Sequence, residues 1–250
     1  MMALMNEPTP IMTIEEWAAF SDATTKAMAA YVPSFITPVI RVISFDEGEL
    51  HGSGSYVAID GATYLLTNEH VAAASLQRRL AHMFHGSDEV ITVRGHFASI
   101  SLPTDAAIAR VDMSEAPAAA AAVTLSLYAP HHQTVDGELL FIAGYPGQRS
   151  QFAFNTLFSP HTPYLTQEDA EQSQVLGAHH FAVPWRPDQA RSVEPRSPGL
   201  SLPPGMSGSL VWNTRRVEFH QSGRPWSPQE ARVTGLVFAW STCANWVYVT

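Results

Sequence analysis

Gly52-Ser53-Gly54-Ser55-Tyr56-Val57-Ala58-Ile59-Asp60-Gly61-Ala62-Thr63-Tyr64-Leu65-Leu66-Thr67-Asn68-Glu69-His70-Val71 is the stretch that decides how this chain is read. Ser53 to Ile59 and Thr63 to Thr67 are strand-forming runs. Asp60-Gly61 between them is a hairpin signal, because a two-residue turn needs positive φ at its central positions. His70 follows the second strand and precedes Val71-Ala72-Ala73-Ala74. A strand end that runs into a short helical turn is a place from which a side chain can face a cleft.

Working outward, further strands are expected at Val39 to Phe45, Val90 to Val93, Ala107 to Val111, Leu139 to Gly144, Phe152 to Phe158, His180 to Trp185, Ser209 to Trp212, Val233 to Trp240 and Trp246 to Val249. Many short strands separated by Gly/Pro turns indicate an all-β sandwich or barrel architecture. Regular helices between strands are absent, which disfavours a parallel α/β sheet. Residues 1–12 read as a loose leader. Thr13-Ile14-Glu15-Glu16 fits a capping box, and Ile14, Trp17, Ala18 and Met28 suggest one apolar helix face running to about Ala30, with Pro33 ending it. Residues 113–131, with Pro117, an alanine run and Pro130, read as a bridge between two β units, where alanines favour a short helical piece. Residues 186–204 carry five prolines and read as a long ordered loop. The expected organisation is an N-terminal helical extension over residues 1–33, a first β-barrel over 34–128 and a second over 129–250.

Composition narrows the partners. The chain has 250 residues, 46% of them hydrophobic, enough for one large domain or two small ones. Net charge is -9 with only 14 Lys+Arg, and the basic residues form no cluster beyond the pairs Arg78-Arg79 and Arg215-Arg216. Nucleic acid and anionic membrane surfaces are therefore not expected partners. Cys243 is the single cysteine, so no intramolecular disulfide forms. No run approaches a membrane span. Glu7, Glu15, Glu16 and Lys26 do not make a basic-then-apolar signal pattern, so a cytoplasmic location is expected. Among the 11 histidines, His131-His132 and His179-His180 are adjacent and point to opposite faces on a strand. His82 and His85 have helical spacing but no third ligand. No metal is expected, and phosphate-loop and dinucleotide patterns are absent, so no cofactor is expected.

Three residues carry candidate chemistry. His70 comes first; Asp105 opens the apolar run Ala106 to Val111; Ser207 sits in Gly205-Met206-Ser207-Gly208-Ser209. A serine hydroxyl is a poor nucleophile at neutral pH and needs a base within hydrogen-bond reach, together with donors where charge develops on the attacked carbonyl. Gly205 and Gly208 permit a tight turn that can aim the N–H groups of Gly205 and Ser207 into one oxyanion hollow. A buried Asp105 needs hydrogen bonds to stay charged, and accepting from the imidazole Nδ1–H meets part of that need. Each residue taken alone has an ordinary reading: a Gly/Ser turn, a packed histidine, a turn aspartate. Their combination supplies a nucleophile, a base and an orienting group.

The set resembles the trypsin/chymotrypsin-like serine peptidase family in its bacterial, non-zymogen form. Gly52-Ser53-Gly54-Ser55, Leu66-Thr67-Asn68-Glu69-His70-Val71 and Thr104-Asp105-Ala106-Ala107-Ile108-Ala109 match its first half. Phe141-Ile142-Ala143-Gly144-Tyr145-Pro146-Gly147, Pro204-Gly205-Met206-Ser207-Gly208-Ser209 and Thr234-Gly235-Leu236-Val237 match its second. The six matches fall in family order over roughly residues 38 to 250. The resemblance implies two six-stranded antiparallel Greek-key barrels with the site in the cleft between them. It implies a serine endopeptidase with His70, Asp105 and Ser207 as triad and a protein or peptide as substrate. The α/β-hydrolase family fails on order, since it places Ser before Asp before His and requires Gly-x-Ser-x-Gly.

Departures from the family shape further expectations. Met206 stands where digestive relatives carry an aspartate that pairs with a newly cut amino terminus, so activation by terminal insertion is not expected. Ser209 replaces the more usual glycine. The chain stops at Thr250, where the family continues into a terminal helix that is here truncated or absent. The pocket for the residue before the scissile bond (P1) is expected near Leu200 to Leu202 and along Gly235 to Trp240, with Leu202, Phe238, Ala239 and Trp240 as lining and Trp246 near another wall. No aspartate occurs near the floor, so P1 Arg or Lys is not expected, and tryptophans at the wall favour small P1 residues. The alternative function is a catalytically idle or partner-activated protease-fold binding or effector module, with a regulatory protein partner ordering the loop at 186–204.

Overall fold

The computed structural model describes residues 12–44, 47–114, 116–153, 156–192, 199–241 and 245–250; side chains at 151–153 and 156–158 are outside the description. The leader up to residue 11, Cys243, part of the 186–204 loop and the middle of the expected Phe152 to Phe158 strand lie outside it.

The chain opens with helix α1 (Ile14–Tyr31). Its capping box forms as expected: the Glu16 N–H donates to Thr13 Oγ1 at 3.2 Å and the Thr13 N–H to Glu16 Oε2 at 2.8 Å. The buried face differs from the expected one. Ile14 is 85% exposed, and Thr24, Met28 and Val32 are the residues that bury, because the helix packs its last turns rather than its first. Pro33 then sits in a single 3₁₀ turn, Val32–Phe35, that ends the helix.

Eight strands follow: β1 (Ile36–Val42), β2 (Gly48–Ile59), β3 (Ala62–Thr67), β4 (Leu80–His82), β5 (Ile91–Thr92), β6 (Ala98–Ile100), β7 (Ala106–Val111) and β8 (Val123–Thr124). They pair in the order β5-β4-β1-β2-β3-β7-β6, with β8 beside β2 in parallel. The β2–β3 hairpin turns at Asp60 (φ 49) and Gly61 (φ 78), the positive-φ pair that the Asp-Gly signal demanded. Helix α2 (Glu69–Ala72) follows β3 directly.

The second half holds β9 (Leu140–Gly144), β10 (Gln151–Ala153), β11 (Thr156–Phe158), β12 (Thr162–Thr166), β13 (Phe181–Pro184), β14 (Leu210–Asn213), β15 (Arg232–Ser241) and β16 (Trp246–Val249), with helices α3 (Ala170–Leu176) and α4 (Arg216–Gln221). Six of these strands pair in the order β12-β9-β14-β15-β16-β13, while β10 and β11 form a separate hairpin. The protein is thus two curled antiparallel sheets with an N-terminal helix, the chymotrypsin-like architecture. The first sheet differs from the six-stranded expectation by carrying seven strands on its path plus β8. The bridge region supplies β8 and a 3₁₀ turn, Leu125–Leu127, rather than an α-helix.

One core cluster joins all three parts. Met28 and Val32 of the helical region, Ile36, Val57 and Val123 of the first sheet, and Phe141, Trp212, Val233 and Leu236 of the second are buried together. Phe35 and Tyr31 bring their rings to 5.8 and 6.1 Å from that of Trp212. Burial of this shared apolar surface holds the two sheets in register across the cleft.

Candidate active site

β3 ends at Thr67, and α2 turns the chain so that His70 leaves the sheet at its rim. The imidazole remains 48% exposed, whereas the Asp105 side chain is 6% exposed. The two residues meet twice: His70 Nδ1 lies 2.7 Å from Asp105 Oδ2, and the His70 backbone N–H donates to Oδ1 at 3.1 Å. Both oxygens of the buried carboxylate are thereby engaged, and the ring is oriented with Nδ1 toward it. Nε2 makes no hydrogen bond among the described residues. Asp105 has φ 46, the left-handed region that aspartate visits more readily than most residues. That conformation ends the loop after β6 and starts β7 within one residue.

Ser207 is presented by a turn that only glycine permits. Gly205 has φ 97, and a Cβ there would fall 2.6 Å from the Tyr145 carbonyl oxygen; Gly208 has φ 89, and a Cβ would fall 1.9 Å from that of Ser53. The turn is stapled internally by the Met206 N–H to Pro203 O at 2.8 Å and the Ser209 N–H to Met206 O at 3.0 Å. It is tied to β15 by the Gly208 N–H to Val237 O and the Val237 N–H to Ser209 O, both 2.9 Å. Met206 is fully buried in an apolar cluster with Leu140, Ile142, Trp185 and Val211. Hydrophobic packing therefore anchors the turn where a buried ion pair stands in zymogen-type relatives.

The first sheet reaches the same turn through Ser53. Its N–H donates to Ser207 O at 2.7 Å, its Oγ donates to Gly205 O at 2.8 Å and accepts from the Tyr145 N–H at 2.8 Å. Thr67 Oγ1 donates to Ser53 O at 2.8 Å. Ser207 is thereby positioned against the strand pair that carries His70. Among the described residues, the N–H groups of Gly205 and Ser207 and the Ser207 Oγ make no hydrogen bond within the chain. Two free donors beside a free hydroxyl can accept a developing oxyanion next to its nucleophile. His70 and Asp105 are brought together by direct bonds, whereas Ser207 is tied through its carbonyl to Ser53 of the same sheet and forms no hydrogen bond with His70.

Several contributors carry no role in the sequence reading. Ser53 lies within the quoted Gly52-Ser53-Gly54-Ser55 run, yet its function as the strut between halves depends on contacts more than 90 residues away. Asn68, fully buried, donates from Nδ2 to Asp105 O at 2.8 Å and fixes the backbone of the aspartate. His51 packs behind the site with Nε2 buried and unpartnered; burial holds its pKa below the ordinary histidine value. The local signals are the membership of Asn68 in the histidine motif and of Ser53 in Gly52-Ser53-Gly54-Ser55, neither of which indicates the distant partner.

The residues expected to line the P1 pocket spread over two segments. Leu202 is 44% exposed, and its N–H donates to Gln148 Oε1 at 3.1 Å. On β15, the Phe238 ring lies tilted by 33° against that of His180 with centroids 4.8 Å apart, Ala239 is half-buried, and Trp240 packs, partly buried, against the cluster that holds Met206 and Val247. Trp246 donates its indole N–H to Asp169 Oδ2 at 3.0 Å, which ties it to the N-terminus of α3. The histidine pairs have protein partners: His132 bridges Thr234 Oγ1 at 2.7 Å and Glu168 Oε2 at 3.1 Å, and His180 Nε2 lies 2.7 Å from Pro103 O. Among the described residues no group of His, Cys, Asp or Glu is arranged to hold a metal ion, and no helix is long and apolar enough to cross a membrane.

The trypsin-like peptidase domain family matches residues 52–218, about two thirds of the chain. The protein belongs to the trypsin-like peptidase domain family. No curated protein shows significant similarity to it. Among solved structures it is similar to the protease domain of MamO from Magnetospirillum magneticum in its apo form, with 13% identity over 88% of this chain and 92% of that chain and a TM-score of 0.49.

Proposed function

We propose that the protein is a serine endopeptidase that hydrolyses peptide bonds through an acyl-enzyme. The observation that carries this reading is the doubly bonded His70–Asp105 pair beside a serine whose turn leaves two backbone donors unspent. Ser207 Oγ attacks the substrate carbonyl carbon while His70 Nε2 takes its proton. The tetrahedral oxyanion receives the N–H groups of Gly205 and Ser207. Collapse expels the amine, protonated by His70, and leaves an ester on Ser207. Water, deprotonated by the same imidazole, then releases the acid and restores the serine. Asp105 holds the ring in the tautomer that keeps Nε2 basic and stabilises the imidazolium.

The test is labelling of the purified protein with a fluorophosphonate probe beside Ser207→Ala. Covalent labelling of Ser207 alone, lost in the variant, is expected. A folded wild-type protein that does not label would remove the enzyme reading and favour an idle protease fold. Substrate identity is unnecessary for this experiment, because the probe reports an assembled nucleophile and oxyanion hollow.

A further inference from the structure

A cavity of about 1070 Å³ lies away from the triad, between α1, β12 and the segments at 184–192 and 199–200. Small-molecule sites commonly measure about 300–1,000 Å³, so this space suits something larger than a metabolite. Its charge is opposite to that of the protein. Lys26, Arg149, Arg186 and Arg191 line it, four of the chain's 14 basic residues, while Asp22 is the one described carboxylate among the lining residues, out of 23 in the chain. Arg191 is paired with Asp22, which ties the loop to α1. Arg149 donates to Thr162 Oγ1 at 3.1 Å and to Gly199 O, so it braces the floor. Lys26 and Arg186 are exposed; Arg186 donates to Gln189 Oε1 at 3.4 Å, and among the described residues no carboxylate pairs with either cation. Between the cations Trp17, Tyr164 and Leu200 present apolar surface beside the polar Ser21, Thr25, His161 and Gln189.

We infer that this cavity is a docking site for an acidic peptide segment, its carboxylates meeting Lys26 and Arg186 and its apolar side chains meeting the walls between them. Lysine and arginine facing a desolvated carboxylate make the stronger class of hydrogen bond, and a local positive field on an acidic protein selects such a partner against basic ones. Occupancy reaches the catalytic turn through a short covalent path. Leu200 lines the cavity and also packs on the cluster that buries Met206. Ser201 O accepts from the Trp185 indole at 2.9 Å, and the turn that presents Ser207 begins at Pro203. A peptide that fixes residues 199–200 therefore fixes the approach to the nucleophile, so the site regulates the activity proposed above and its kinetic consequence rests on that reading.

The binding experiment is independent of catalysis. A short fluorescein-labelled peptide of alternating glutamate and leucine is titrated with full-length Ser207→Ala protein and followed by anisotropy, with alternating lysine and leucine as control. Saturable binding of the acidic peptide is expected, weakened by added salt and weakened about tenfold or more in Lys26→Glu/Arg186→Glu. Arg78→Glu, an exposed cation of the first half, should leave it unchanged. Absence of binding, equal binding of the basic peptide, or undiminished binding to the double variant would overturn the site. Saturating acidic peptide should also speed fluorophosphonate labelling of wild-type Ser207 several-fold, and unchanged labelling would overturn the coupling. If wild-type protein binds the peptide as expected yet never labels, the catalytic reading fails and the docking site stands.

Discussion

Asp105 shows how much one side chain carries at the residue scale. Its two oxygens are spent on the His70 ring and the His70 backbone. Asp105→Asn keeps the volume but offers an N–H₂ where the ring needs an acceptor, which turns the imidazole to the wrong tautomer. Labelling of Ser207 is expected to slow by about 10³–10⁴-fold with an unchanged melting temperature; a variant that labels at the wild-type rate would take Asp105 out of the mechanism. His82 makes a different prediction. Its side chain is buried against Tyr56, whose hydroxyl lies 2.8 Å from Nδ1, and burial lowers its pKa from 6.5 to about 4. The unfolded chain therefore binds a proton that the folded one refuses. This contribution to stability is complete above the unfolded value and is lost as pH falls from 6.5 toward 4, by on the order of 3 kcal/mol. Denaturant melts of wild type and His82→Gln between pH 7 and pH 4 should differ in slope, the variant being flatter in that window. Parallel profiles would show that the buried ring titrates without cost.

Elements differ in how far local sequence specifies them. The β2–β3 hairpin and the capped start of α1 are written in their own residues, as Asp60-Gly61 and Thr13-Ile14-Glu15-Glu16. The short strands β4, β6, β8 and β12 are not, because two to five residues carry too little pattern and are held by the strands they pair with. Helix α4 owes its start to Glu138, whose oxygens accept from the N–H groups of Val217 and Glu218 at 3.1 and 3.0 Å across about 80 residues of sequence. β15 carries the specificity prediction. A register shift between Val237 and Ala239 displaces Phe238 from the β16 ladder, and Trp240 lies opposite Val247 in that ladder. An indole in a P1 wall at this position would narrow the pocket, and the segment at Leu200 to Leu202 holds no carboxylate to receive a cation, whose unpaired burial would cost several kcal/mol. Peptide-library profiling should show preference for alanine or valine at P1, and Trp240→Gly should extend it to phenylalanine and leucine. Strong cleavage after Arg or Lys would discard this pocket while leaving the triad untouched.

At the scale of the molecule one core cluster spans the two sheets, and the Ser207 turn is completed by a strand of the other half. Each sheet also buries a cluster of its own, but the shared cluster and the Ser53 bonds to the Ser207 turn couple the halves, so unfolding should be a single cooperative transition. Circular dichroism and tryptophan fluorescence are expected to give coincident midpoints, and residues 129–250 produced alone should not reach a fixed tertiary structure; two separated transitions would show independent halves. Sequence by itself determined the all-β class, the hairpin and the helical extension, and it singled out His70, Asp105 and Ser207 in that order as candidates, because strand alternation, turn chemistry and side-chain reactivity are properties of neighbouring residues. Tertiary structure alone decided that Ser53 braces the nucleophile turn, that Asn68 fixes Asp105, that Met206 anchors by apolar packing and that four cations converge beside α1. Those facts depend on groups tens to more than a hundred residues apart, and only the burial of a common core brings them within hydrogen-bond or Coulomb reach.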